Sequence, residues 1–177
     1  NTASGIPVGA QVNGKLIKLY VDYNSVVTNG QLVAQIDPLV YQATLDSAEA
    51  QLKVNEANVE VRAAALRASE AELALVQKTY DRKKALLEKK MAPVADLDSA
   101  EEALARAKSS VDQAKANLRS AEASVAQSKA SVDKARADRK YCDIVSPVDG
   151  IVIDRKVEEG ETVVSSMNAV PVLSIAE

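Results

Sequence analysis

The residues that could carry out chemistry are few in this 177-residue chain, and they form no catalytic set. There is no histidine and Cys142 is the single cysteine, so we expect neither a transition-metal site nor an internal disulfide. No serine stands in a nucleophile elbow, and no glycine-rich loop is placed to cradle a phosphate. We therefore predict no catalytic residue, no metal, no cofactor and no enzymatic activity.

The charged residues are numerous but evenly mixed, and the net charge is −3. Most carboxylates stand at spacings that suit ion pairs with Lys or Arg one helical turn away, which indicates solvated helix surface. Without a basic stripe, we expect no nucleic-acid partner. No stretch of the sequence is apolar for long enough to cross a bilayer. Because the first residue is Asn1, we expect a processed or excised fragment that has lost an anchor.

Two stretches, 12–37 and 145–175, repeat one short β motif and are called here the first and second repeats. Their shared positions are Val12-Asn13-Gly14, Val21, Asn24 and Val27 in one copy, and Val148-Asp149-Gly150, Val157, Gly160 and Val163 in the other. Asn24 and Gly160 occupy the same place, and both residue types tolerate positive φ. We predict that one tight turn is made twice.

Short Val- and Ile-rich strands are predicted from Gly9 to Asp37 and from Ile144 to Ala176, broken by Asn-Gly and Asp-Gly turns. Either half alone would leave an apolar face in water. We therefore expect the halves to interleave into one flattened β sandwich, with residues 6–37 and 144–177 forming a single domain.

Between the halves, residues 39–90 and 95–140 carry a period-seven apolar pattern typical of coiled coils. The seam residues are Leu45, Ala48, Leu52, Asn55, Val59, Arg62, Leu66, Ser69, Leu73, Val76, Tyr80, Lys83 and Leu87, then Leu97, Ala100, Leu104, Ala107, Val111, Ala114, Leu118, Ala121, Val125, Ser128, Val132 and Ala135. Small residues alternate with large ones in the second set, which suits close antiparallel packing. The fold class is therefore α+β: a β sandwich split by a two-helix hairpin, 38–143, with its tip near 88–96.

The first helix carries a second apolar stripe away from this seam. Its members recur at heptad spacing and include Ala50, Val54, Ala57, Val61 and Ala64. Alanine is the best helix former, which explains part of the stripe but not its valines. The alternative is lateral packing of one hairpin against another in an oligomer.

These residues resemble the periplasmic adaptor, or membrane fusion, proteins of bacterial efflux pumps, in which a lipoyl-like domain is split by a long α-hairpin. The similar stretches are Val8–Leu16, Gly30–Leu32, Ile36–Pro38 and Ile144–Gly150. Within the HlyD-like superfamily, the likeness is to MacA-type macrolide-efflux adaptors. The resemblance implies the adaptor of a tripartite efflux pump or of a type I secretion-like system. Such an adaptor is a periplasmic protein anchored in the inner membrane, with an ABC-type inner-membrane transporter as partner, and forms a homo-hexamer that meets a TolC-like outer-membrane channel.

The resemblance also implies two sets of site residues. The family's hairpin-tip motif is Arg, Leu four residues later and Ser seven residues after that; Arg82 and Leu86 match it, and Pro93 replaces the serine. A loop in the second lipoyl half forms a narrow ring in the family's hexamer, where Met167 and Asn168 stand in place of glutamines.

Other functions stay open on the sequence alone. One is an adaptor for a proton-driven pump of the RND or MFS class rather than an ABC transporter. Another is a lipoyl or biotinyl carrier domain, but the modifiable turn is replaced by the hairpin and no lysine stands at Asp37-Pro38. A coiled-coil scaffold without a pore is the third.

Overall fold

The computed structural model describes residues 5–177, and within that range two long helices separate two groups of four strands. The elements are β1 (Ile6–Val8), β2 (Gly14–Leu19), β3 (Val26–Val27), β4 (Leu32–Ile36), α1 (Leu39–Glu88), α2 (Val94–Tyr141), β5 (Asp143–Val145), β6 (Gly150–Arg155), β7 (Thr162–Val163) and β8 (Leu173–Ala176).

The strands form two four-stranded sheets, ordered β1-β8-β6-β3 and β5-β4-β2-β7. Each sheet takes two strands from either side of the helices, and every pairing is antiparallel. Exchanging β1–β4 for β5–β8 converts one sheet order into the other, so the topology has an approximate twofold symmetry. The predicted interleaving of two β halves is confirmed.

The tight turn is made twice, as the sequence predicts. Asn24 has φ 67° and Gly160 has φ 94°. The Asn24 N–H donates to the Val152 carbonyl at 2.8 Å, and the Gly160 N–H donates to the Leu16 carbonyl at 2.7 Å. In both copies the residue whose carbonyl accepts this bond also donates its own N–H back across the turn, at 2.9 Å for Val152 and 2.7 Å for Leu16. Each turn therefore joins one repeat to the other.

The β core is built from alternate strand residues of both repeats, as a period of two requires. Matching positions contribute matching side chains: Leu16 and Val152 are buried, and they pair with Ile36 and Ile175 respectively. The other fully buried large apolar residues are Val27, Val33, Val172 and Leu173. Closing this core requires both repeats.

Strand β1 lies before the stretch in which the sequence predicts strands, which begins at Gly9. It pairs with the last strand, with Ile6 opposite Ile175. Three residues carry too little periodicity to predict a strand, and the partner is at the other end of the chain. The pairing is therefore a tertiary effect.

The helices nearly match their predicted limits, with α1 ending at Glu88 rather than 90 and α2 spanning Val94–Tyr141. The chain divides into two compact units: one runs up to Glu49 and resumes at Ser131, and the other is Ala50–Ala130. The helix ends nearest the strands thus belong with the β core. The domain limits 6–37, 38–143 and 144–177 stay a prediction.

The helix seam follows the predicted heptads. In α2 every seam residue is at least half-buried; in α1 Leu45 is buried, most others are half-buried and Arg62 is exposed. The polar seam residue Asn55 donates to the Ser128 hydroxyl and, at 3.3 Å, to the Ser124 carbonyl. A polar pair of this kind in an apolar seam fixes the register of the two helices.

Candidate functional site

The hairpin tip is a short connection, residues 89–93, that begins with a Schellman helix end. Lys90 has φ 57°, its N–H donates to the Leu87 carbonyl, and the Met91 N–H donates to the Leu86 carbonyl, both at 2.9 Å. These two bonds satisfy carbonyls that the helix end would leave without partners. The tip is therefore held in a defined turn although it contains no glycine.

Of the residues predicted to dock an outer-membrane channel, Pro93 lies in this connection, and Arg82 and Leu86 lie in the last two turns of α1 before it. Arg82 is exposed and Leu86 is 37% exposed, and their four-residue spacing places them on one face of α1. Pro93 is exposed and immediately precedes α2, where its carbonyl accepts the Asp96 N–H at 3.1 Å. Because the Pro93 side chain has no hydroxyl, it cannot supply the hydrogen bond that a serine would give at this position.

The second stripe of α1 is exposed along its length. Val54, Val61 and Leu75 are 62%, 65% and 60% exposed, and Ala50, Ala57 and Ala64 are exposed as well. Val54 follows the seam residue Leu52 by two positions, which places it on nearly the opposite side of the helix. The exposed stripe is therefore separate from the coiled-coil seam. A row of apolar side chains in water favours a protein partner.

The predicted ring-forming residues lie in the connection between β7 and β8, residues 164–172. Met167 is fully exposed and Asn168 is exposed, in a turn closed by the Ala169 N–H on the Ser166 carbonyl at 3.0 Å. The matching connection of the first repeat, between β3 and β4, has only residues 28–31. The longer connection is an addition to the repeated fold.

One residue of this region was not singled out from the sequence for a contact. The Asn13 carboxamide oxygen accepts the Ser165 N–H at 2.6 Å, where the longer connection begins. Asn13 belongs to the Asn-Gly motif, which predicted a turn. That prediction is wrong here, because Gly14 begins strand β2 and has no positive φ, and the motif gave no indication of the side-chain partner of Asn13.

The single cysteine, Cys142, belongs to the β core. This cysteine is fully buried, and burial raises the pKa of its thiol. Among residues 5–177, no cluster of His, Cys, Asp and Glu is placed to hold a metal ion. No helix in the same range is long and apolar enough to cross a membrane.

Residues 4–175, almost the whole chain, match the family described as the barrel-sandwich hybrid domain of RND MFP. The chain belongs to this membrane fusion protein family. The β sandwich split by a helical hairpin is thus the architecture of the family, as the resemblance implied.

Named relatives of this membrane fusion protein agree. It is 34% identical over 173 residues to the macrolide export protein MacA of Yersinia pestis, covering 97% of this chain and 43% of that protein. It is 36% identical over 172 residues to the pyoverdine export membrane fusion protein PvdR of Pseudomonas aeruginosa, covering 97% of this chain and 40% of that protein. The chain thus spans less than half the length of these curated relatives.

Solved structures give the same fold. The crystal structure of MacA from Actinobacillus actinomycetemcomitans is 31% identical with a TM-score of 0.59, and the match covers 97% of this chain and 48% of that chain. The periplasmic adaptor protein EmrA has a TM-score of 0.58 at 20% identity, covering 97% and 71%, which shows the shared fold alone.

Proposed function

We propose that this membrane fusion protein is the hairpin and lipoyl-like part of a periplasmic adaptor, anchored in the inner membrane in its full-length form. The adaptor joins an inner-membrane transporter to a TolC-like outer-membrane channel and assembles as a homo-hexameric conduit. It has no catalytic role. The relatives named as export proteins support the efflux pathway, and they cover nearly all of this chain.

The observation that carries the proposal is the exposed apolar stripe of α1. A two-helix hairpin surrounded by water gains nothing from valines on the side opposite its seam, because apolar surface in water is unfavourable. Packing against the next hairpin would remove that surface from water. The outer face of α2 offers a small-residue surface for this contact, formed by Ala116, Ala123, Ala130 and Ala137.

Charged substitutions in the stripe test the assembly. In the full-length protein we expect Val54→Glu together with Val61→Glu to shift the hexamer to smaller species, because each buried carboxylate would have to be desolvated. Arg67→Glu is the matched control, since it makes the net charge of the same helix more negative by the same amount. Arg67 is exposed and follows Val61 by six positions, which places it about 120° away around the helix. Native mass spectrometry would measure the assembly. Hexamers that persist in the double variant would remove the stripe from the proposal.

The hairpin tip supplies the channel contact in this proposal. Arg82 can give charge-assisted hydrogen bonds and Leu86 an apolar contact to a facing helical hairpin. Without the serine hydroxyl, these two residues carry the contact and Pro93 shapes the turn beside it.

Drug-efflux complementation tests the tip. We expect Arg82→Asp or Leu86→Ser to abolish efflux while the hairpin stays folded, because both side chains are exposed and add little to its stability. Arg67→Asp is the matched control, an exposed arginine of the same helix outside the tip motif. Retained efflux at normal expression of Arg82→Asp would exclude the tip from channel docking.

An ABC-type transporter is the favoured partner, because the relatives above 30% identity include macrolide export proteins of the MacA type. A proton-driven RND or MFS pump is the second candidate, and the RND label of the matching family favours it. Co-purification of the full-length adaptor with each transporter class would decide between them. If the partner is an ABC transporter, we expect efflux to require ATP hydrolysis by that transporter.

The exposed β7–β8 connection supplies the constriction of the conduit in this proposal. Six copies of Met167 would present apolar side chains to the channel, and six copies of Asn168 would present hydrogen-bonding ones. Two functions of other classes compete with the conduit. A covalent lipoyl or biotinyl adduct, detected by mass spectrometry, would favour a carrier domain, and an obligate monomer of the full-length protein would favour a scaffold.

A further inference from the structure

Asn13 links the β7–β8 connection to helix α1. The Asn13 carboxamide oxygen accepts the Ser165 N–H at 2.6 Å and the Ser165 hydroxyl at 3.1 Å. The backbone carbonyl of Asn13 accepts the Tyr41 hydroxyl at 2.5 Å. Tyr41 lies in the first turn of α1 and packs against the β core. Asn13 thus joins the base of the helix to the start of the connection, with one hydrogen bond on the helix side and two on the side of the connection.

The second repeat shows which part of this arrangement belongs to the fold itself. Asp149 occupies the place of Asn13, and its carboxylate accepts the Asn29 N–H at 2.7 Å. In both repeats, therefore, the side chain before the motif glycine accepts a hydrogen bond from a backbone amide. The chain beyond this amide differs between the copies: two residues separate Asn29 from β4, whereas seven residues separate Ser165 from β8.

The position of those seven residues depends on their ends. At the far end, the buried Val172 donates its N–H to the Val8 carbonyl at 2.8 Å. Between the ends, the turn bond of Ala169 to Ser166 stays within the connection and leaves Met167 exposed. The chain enters the connection from β7, whose Val163 pairs with Gly14 beside Asn13, so the Asn13 side chain holds the first residues beyond that pairing.

We propose that Asn13 is the positioning residue of the β7–β8 connection, and that Tyr41 holds Asn13 in place from the first turn of α1. This inference rests on the proposed function in one respect, that the connection constricts the conduit. It goes beyond that function by linking the position of the connection to the first turn of α1. A displacement of that turn would then displace the connection.

Amide exchange of this chain, followed by NMR, tests the positioning through a matched pair of variants. Asn13→Ala is expected to speed exchange at Ser165 about tenfold and leave Asn29 unchanged, because one hydrogen bond is lost locally. Asp149→Ala is expected to do the reverse. Asn13→Asp keeps the acceptor oxygen and should restore slow exchange at Ser165. Unchanged exchange at Ser165 in Asn13→Ala would overturn the proposal.

A nitroxide label on Met167→Cys reports the connection itself, and the buried Cys142 stays unlabelled in the folded protein. Label mobility should rise with Asn13→Ala, and less with Tyr41→Phe, which keeps the ring packing but removes the hydroxyl. Asp149→Ala should leave the label unchanged. Equal mobility with Asn13→Ala and Asp149→Ala would overturn the positioning role.

An export assay with the full-length protein separates this proposal from the proposed function. If Asn13→Ala frees the label but efflux is unaltered, Asn13 positions the connection and the connection is not the constriction. If the label stays fixed while Met167→Glu alters efflux, the constriction stands and the positioning role of Asn13 fails.

Discussion

The two β repeats have the same strand arrangement and different outer surfaces. Inward positions match: Val21 and Val157 are both buried to the same degree, 8% exposed. Outward positions do not: six residues after each motif glycine, the first repeat has Tyr20 and the second has Lys156. Burial thus restricts the inner positions to apolar side chains, while the outer positions can carry different residue types.

The difference continues along the outer face. The first repeat exposes Tyr23 and Val26, at 70% and 72%, where the second has Glu159 and Thr162. The connection within each repeat also differs, because it is short between β3 and β4 and long between β7 and β8. Features shared by both copies therefore report on the fold, and features of one copy report on what that copy contacts.

The largest effect is expected at the motif glycines, where the repeats differ in what a new Cβ would meet. At Gly150 the Cβ would lie 2.2 Å from the Ala176 carbonyl oxygen, and at Gly14 it would lie 2.5 Å from a methyl of Ile36. Relief at Gly150 requires the β6–β8 backbone pairing to shift, whereas relief at Gly14 requires only the buried side chain of Ile36, which is stiff at χ1, to shift within the core. We expect Gly150→Ala to destabilise by about 3 kcal/mol or more and Gly14→Ala by about 1–2 kcal/mol.

Denaturant unfolding followed through the Cys142 thiol would measure this pair. The thiol is buried, and burial raises its pKa, so it reacts slowly until the β core opens. Equal losses at Gly14 and Gly150 would show that the repeats accommodate a Cβ in the same way and would contradict the comparison.

The positive-φ turns should give the next largest effect. Gly160 has φ 94°, beyond the usual left-handed region, whereas Asn24 has φ 67° within it. We expect Gly160→Ala to cost about 1–2 kcal/mol and Asn24→Ala about 1 kcal/mol, because only the first must also shift its backbone. The thiol-detected unfolding midpoint measures both variants. A larger loss for Asn24→Ala would mean that its side chain, rather than its φ, stabilises the turn.

The repeats also show what could be predicted from sequence. Asn24 and Gly160 stand at one offset, and that spacing alone predicted the doubled turn. The heptads predicted the seam and the exposed stripe of Val54 and Val61, because helix periodicity is a local property. These predictions needed no knowledge of which strand pairs with which.

The residues that sequence could not place depend on tertiary contacts. Nothing near Asn13 indicates that its side chain binds Ser165, and nothing near Ile6 indicates a partner strand at the opposite end of the chain. Lys90 adopts positive φ although lysine has no preference for it, since the Schellman bonds at the helix end impose that conformation. Such contacts follow from the closed fold and leave no periodic pattern.

At the hairpin tip we expect a substitution to raise stability, whereas the substitutions in the turns of the repeats lower it. Lys90 has φ 57° without the freedom of Gly160 or the local hydrogen bonding typical of Asn24. We expect Lys90→Gly to stabilise the hairpin by about 0.5–1 kcal/mol, because it removes the steric cost of a Cβ in the left-handed region. Helix melting followed by circular dichroism measures it, with Lys89→Gly as a control that lacks a positive φ to relieve. Destabilisation by Lys90→Gly would show that the lysine side chain holds the tip.

The smallest effect is expected where the outer faces differ. Val26→Thr gives the first repeat the residue of the second at an exposed strand position, and should change stability by no more than about 0.5 kcal/mol. Val27→Thr, one residue on, places a hydroxyl at a site that is 1% exposed and should cost about 1–3 kcal/mol. Both variants replace a valine by a threonine, but Val26 lies on the exposed side of strand β3 and Val27 on the buried side. A large loss of stability from Val26→Thr would mean that the outer face of the first repeat contributes to folding. The difference between the two outer faces could then not be attributed to contacts with other molecules.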